Sequence, residues 1–154
     1  MPSRRDQIRM PDDEVWRFVE SQKSLQVATL NRDGSPHLTT LWFGMLDGDI
    51  VFETFTKSQK IVNLKRDPRI AVLVEDGETY GELRGVSING RAELHEDPAV
   101  VYRYALAVTR KNNPGLTPEQ EQAAARMMSQ KRTAVVVTPE RIVSWDHGRL
   151  AGRY

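Results

Sequence analysis

The chain has 154 residues, 39% of them hydrophobic and 28% charged, with 22 basic against 21 acidic side chains and a formal net charge of +1. That length suits one domain with its own hydrophobic core, and so small a net charge excludes the strong attraction by which proteins coat nucleic acid or membrane surfaces. No cysteine is present, which removes disulfides, thiolate metal sites and cysteine nucleophiles together and agrees with a reducing cytoplasm. No segment approaches the ~20 apolar residues of a membrane span. Arg4, Arg5 and Arg9 precede no apolar run, so the start does not read as a secretory signal. His37, His95 and His147 are scattered without helical spacing, and no metal site is expected. If the protein is an enzyme, its chemistry is expected from a bound organic cofactor.

Asp12 is placed to cap a short helix from Asp13 to about Gln22, with Val15, Trp16, Phe18 and Val19 as its apolar side. The period then changes to two. Leu25–Leu30 reads as a strand, Asn31–Ser35 as a turn around Asp33-Gly34, and Pro36 to about Leu46 as a second strand. Asp47-Gly48-Asp49 turns the chain into a third strand, Ile50–Thr54, which completes an antiparallel meander. Ser58 opens a short helix to about Arg66, closed by Pro68. Arg69–Glu75 is a strand, Asp76-Gly77 a turn and Leu83–Leu94 a long strand, in which Gly85 and Gly90 predict bulges or sharp bending. Asp97-Pro98 starts a helix to about Arg110, and Thr117-Pro118-Glu119-Gln120 is a capping box for another to about Lys131. Thr133–Val137 and Arg141–Trp145 read as two closing strands around Thr138-Pro139-Glu140. About seven strands with three or four short helices do not make a βαβ pattern; the reading is mainly β, a small antiparallel barrel flanked by helices, in one domain over residues 1–154.

The informative segment is the strand-to-helix turn from Thr54 to Pro68. A helix start offers unpaired N–H groups and a positive dipole end, which suit an anion. Thr54, Thr56 and Ser58 add hydroxyls, and Lys57 and Lys60 add charge. On spacing alone two readings stand: a phosphate grip, or a serine cap with solvated lysines. Trp42 likewise reads either as core, with Phe43, or as the wall of a site. His37 reads as a surface residue, and His147 as a proton donor without an identifiable partner.

Ala28-Thr29-Leu30, Asp33-Gly34-Ser35-Pro36-His37, Ser58-Gln59-Lys60 and Asn63-Leu64-Lys65-Arg66-Asp67-Pro68-Arg69 occur in order with close spacing. With Leu83–Val86, Gly90–Glu93 and Ser144–Leu150, they resemble the pyridoxamine-phosphate-oxidase-like split β-barrel superfamily, and within it the actinobacterial branch that uses the deazaflavin coenzyme F420. The resemblance covers about Val15 to Leu150. It implies a homodimer with two cofactor sites between subunits. Thr54, Ser58 and Lys60 match positions that hold the cofactor phosphate, with Lys57 and Asn63 in the same neighbourhood, and the Thr56 hydroxyl is a further candidate from the turn itself. Thr39, Thr40, Leu41 and Trp42 would run beside the ring, and Trp145 and Arg149 would come across from the partner subunit. Relatives that bind flavin mononucleotide usually carry an Arg-Lys pair where this chain has Gln59-Lys60, which favours F420 over FMN. The resemblance thus implies an F420-dependent oxidoreductase acting on a small organic molecule. An FMN-dependent oxidase or reductase, and a non-catalytic carrier or sensor of F420, are the competing expectations.

Overall fold

The computed structural model describes residues 1–152. Strand β1 (Ser24–Leu30) buries Leu25, Val27 and Thr29, so every second side chain enters the core, as period-two patterning requires. Strand β2 (Pro36–Trp42) pairs with it in full register from Leu30↔Pro36 to Ser24↔Trp42. Strands β3 (Gly44–Leu46) and β4 (Asp49–Phe55) form a hairpin through Asp47 and Gly48. Both have positive φ, 53° and 83°, the conformation that a two-residue turn between twisted strands demands. Strands β5 (Arg69–Asp76), β6 (Arg84–His95) and β7 (Arg132–Asp146) complete one antiparallel sheet in the order β2-β1-β5-β6-β7-β4-β3.

Phe43 explains why this sheet is a barrel. Strands β2 and β3 lie at opposite edges of the sheet yet are joined by that single residue. The two edges must therefore meet at Phe43, yet among the described residues no pairing joins β2 to β3, so the barrel is left split. The interior is filled by Leu25, Val27, Phe52, Val72, Ile88 and Val135, among others. Two helices plug its openings. Helix α2 (Asp12–Ser21) contributes Val15, Phe18 and Val19, and α3 (Gln59–Arg66) contributes Ile61 and Leu64. On the outer face, α4 (Pro98–Asn112) and α5 (Pro118–Ser129) pack over β3, β4 and β7 and bury Val51, Ala134 and Val136. The helix–strand approach is close: a Cβ on Gly44 would lie 2.8 Å from the Val108 nitrogen. Asn112 Nδ2 donates to the Phe43 carbonyl at 2.8 Å, which ties α4 to the seam.

Four sequence expectations are corrected. The cap of α2 is Pro11, without a side-chain hydrogen bond, and Asp12 is the first helical residue. The strand expected from Pro36 to Leu46 breaks at Phe43, where the alternation slips and Phe43 and Gly44 are buried in succession. The two closing strands are one, β7; Thr138-Pro139-Glu140 does not turn but forms a bulge opposite Asn89 and Gly90. Finally, α1 (Arg4–Ile8) was unexpected, although Ser3 and Asp6 form its capping box. Among the described residues no helix is long and apolar enough to cross a membrane.

Candidate functional site at the start of α3

Strand β4 delivers the chain into a tight turn. Ser58 N–H donates to the Phe55 carbonyl at 2.8 Å, and Thr56 N–H donates to the Lys131 carbonyl at 2.9 Å. The hydroxyls of Thr56 and Thr133 share a further hydrogen bond of 2.9 Å. Ser58 then caps α3: its Oγ accepts from Ile61 N–H at 3.5 Å and its carbonyl from Val62 N–H at 3.1 Å. This leaves the N–H groups of Gln59 and Lys60 aimed out of the positive end of the helix.

Lys60 is half-buried, and burial depresses its ammonium below the ordinary lysine range. Among the described residues no carboxylate pairs with it. A partly desolvated cation beside two unpaired N–H groups favours a bound anion. Lys57 is exposed on the same turn, while Thr54 is buried on the core face opposite Thr133.

Asn63 plays a different part. It is fully buried, its Nδ2 donates to Thr29 Oγ1 and Asn31 Oδ1 at 3.0 Å each, and its Oδ1 accepts from Gln59 at 2.8 Å and Arg66 at 3.3 Å. All its hydrogen-bonding capacity is used within the chain. It therefore anchors α3 to β1 and holds the turn in place, with no polar group left over for a ligand.

The register brings β2 beside this anchor, because His37 lies opposite Thr29 and Thr39 opposite Val27. Thr39 and Leu41 face inward, whereas Thr40 and Trp42 face outward, so the four side chains cannot line one surface together. Trp42 is 47% exposed with Lys23 above its ring, and Phe43 takes the core position instead. Two buried atoms near the inner face have no partner among the described residues: Thr39 Oγ1 and His37 Nδ1. As an edge strand, β2 also presents unpaired backbone groups along its outer side.

The residues after β6 form a second group. Trp145 lies flat over Gly85, where a Cβ would come within 2.1 Å of the indole. That close approach explains this glycine, which sits at no bulge. Arg149 is paired with Glu14 and with Asp146 at 3.5 Å. His147 Nδ1 is 2.9 Å from the Tyr80 carbonyl, an acceptor that places the ring proton on that nitrogen. One residue before Thr54, Glu53 is buried beneath the helices, with Arg132 Nη1 at 3.7 Å and Oε2 without a partner among the described residues. Sequence reasoning missed Glu53, whose signal was a carboxylate inside an otherwise apolar strand. It also missed a cluster of Arg5, Arg9 and Arg141 between α1 and β7.

Split barrel, helix plug and capped α3 turn together define a class. Residues 11–146 match the pyridoxamine 5'-phosphate oxidase family, and the chain belongs to it. The expected superfamily and its split-barrel fold are thus present. Among solved structures, the conserved hypothetical protein Rv2991 from Mycobacterium tuberculosis is 41% identical, with 99% of this chain and 95% of that one covered and a TM-score of 0.90. An F420 reductase is 25% identical over 86% of this chain and 98% of that chain, with a TM-score of 0.66. The heme storage protein HutZ from Vibrio cholerae, 16% identical over 89% of this chain and 97% of its own, shares the fold with a TM-score of 0.66. No curated protein sequence matches.

Proposed function

We propose that the chain is an F420-dependent oxidoreductase acting on a small organic substrate. The observation that carries this reading is Lys60, a half-buried cation without a carboxylate at a helix start whose first N–H groups are unpaired. The residues present fit a phosphorylated deazaflavin. Ser58, the Gln59 and Lys60 N–H groups and the Lys60 ammonium would hold the phosphate, with Lys57 and Thr56 beside them. The unpartnered Thr39 hydroxyl and the open edge of β2 would hold the ring. Likeness to an F420 reductase along nearly all of that protein's length supports F420 over a flavin.

When bound, the deazaflavin supplies a hydride to an electrophilic carbon of the substrate. The chain itself contributes grip and orientation, and no side-chain nucleophile is needed. Asn63 keeps the turn rigid, so Lys60 and Ser58 meet the phosphate without reorganising. The functional unit is a homodimer, with Trp145 and Arg149 of one subunit bordering the site of the other. The outward face of β2 supports this, since Leu38 and Trp42 are 68% and 47% exposed there, beside Thr40. An uncovered apolar strip of that kind suits a second copy.

Fluorescence titration with F420 and with FMN tests the assignment. F420 is expected to bind, and Lys60→Ala to weaken it by about tenfold or more, the scale of one charge-assisted contact. Unchanged affinity in that variant would sink the reading. Binding of FMN alone would replace it with a flavin enzyme. Tight F420 binding without turnover of enones or quinones would make the protein a carrier.

A further inference from the structure

We propose that the pocket between α1 and β7 binds a small multivalent anion, two acidic groups a short span apart, through Arg5, Arg9 and Arg141. The pocket exists because β7 is only half covered. It pairs with β6 along most of its length but with β4 only over Arg132–Val137, so no strand lies on the other side of Arg141–Ser144. Helix α1 packs across that gap. Met10 N–H donates to the buried Ser144 hydroxyl at 3.0 Å and fixes the segment there.

Between helix and strand lies a cavity of about 200 Å³ lined by Arg5, Asp6, Arg9, Arg141 and Ser144, among others. None of the three guanidiniums has an ion pair or side-chain hydrogen bond among the described residues. Asp6 is already engaged: its Oδ2 accepts from the Ser3 N–H at 3.0 Å and from the Ser3 hydroxyl at 2.6 Å. Those bonds first, and then the fields of Arg9 and Arg5, hold its carboxyl below the usual range.

Three guanidiniums around one carboxylate leave positive charge uncompensated in a small space. Each guanidinium is a planar fork that matches a carboxylate or phosphate edge, so three of them suit a ligand with more than one acidic group. A cavity of this size accommodates a pyrophosphate-like or dicarboxylate ligand. It shares no residue with the α3 turn of the same chain, so the inference does not rest on the phosphate grip proposed there.

Calorimetric titration of the full chain with pyrophosphate, and separately with succinate, tests this at an ionic strength fixed by chloride. Saturable binding that is retained in Lys60→Ala is expected for at least one of them. In the Lys60→Ala background, which removes anion uptake at the α3 turn, Arg141→Gln and Arg9→Gln should each weaken it by about tenfold, the loss of one bidentate contact. All three arginines are exposed, so the variants should fold, which thermal melting without ligand confirms; Arg5→Gln replaces any that does not. Absence of saturable binding overturns the proposal. So does binding that survives the arginine variants but is lost in Lys60→Ala, because the anion would then sit at the α3 turn.

Discussion

Two buried polar residues on either side of the α3 turn behave in opposite ways. Glu53 is sealed beneath α4 and α5, and burial outweighs the nearby Arg132, pushing its carboxyl up to about 7 from an ordinary 4.5. Between those values the folded chain holds a proton that the unfolded chain has released. Stability must therefore fall as pH rises through that window, by about 3 kcal/mol at most from this group. Urea unfolding at pH 4.5 and 8 should show the slope in the native chain and a shallower one in Glu53→Gln; equal slopes would mean that Glu53 ionises normally. Asn63, by contrast, is fully satisfied. Asn63→Ala removes its hydrogen bonds and strands Thr29 and Asn31, at a cost of about 2–4 kcal/mol. The same variant should loosen the start of α3, so cofactor affinity and unfolding midpoint should drop together.

At the scale of elements, the long β6–β7 pair depends on two glycines for different reasons. A Cβ on Gly90 would stand 2.1 Å from the Thr138 carbonyl oxygen, which belongs to the backbone of the bulge and cannot step aside. Gly90→Ala should destabilise by about 1–3 kcal/mol in equilibrium unfolding. On Gly85 the obstacle is the Trp145 ring, so Gly85→Ala should shift tryptophan emission with a smaller loss of stability. The bulge also marks where the sequence was legible and where it was not. Alternation and turn residues revealed six of the strand positions, because burial on one face leaves a period-two trace. Thr138-Pro139-Glu140 looked like a turn because proline lacks an N–H. In the fold, Pro139 lies beyond the β4 pairing, where a missing donor costs little. The break at Phe43 was hidden inside the run Leu41-Trp42-Phe43, where apolar residues on both faces erase the alternation. At the candidate site, the capping role of Ser58 was legible from local spacing, which left a phosphate grip and a plain cap with solvated lysines both open. The role of Asn63 was not legible, because its partners Thr29 and Asn31 lie 34 and 32 residues away in sequence.

At the scale of the molecule, the proposed homodimer makes its own demand on the outer face of β2. Leu38→Arg places a charge in the exposed apolar strip without touching the core, so it should shift sedimentation toward the monomer while leaving the melting profile of the barrel recognisable. A dimer indifferent to Leu38→Arg would have to use another face. The seam at Phe43 bears on a different property, tolerance of added chain. One residue clasps the two edges of the sheet, so a short glycine–serine insertion beside Phe43 lets them drift apart and exposes β2 and β3 as unpaired ribbons. The same insertion at Asp33-Gly34 only lengthens an exposed hairpin tip. The barrel has a clasp as well as a wall, and tags or sensor domains belong at the tip, away from the clasp.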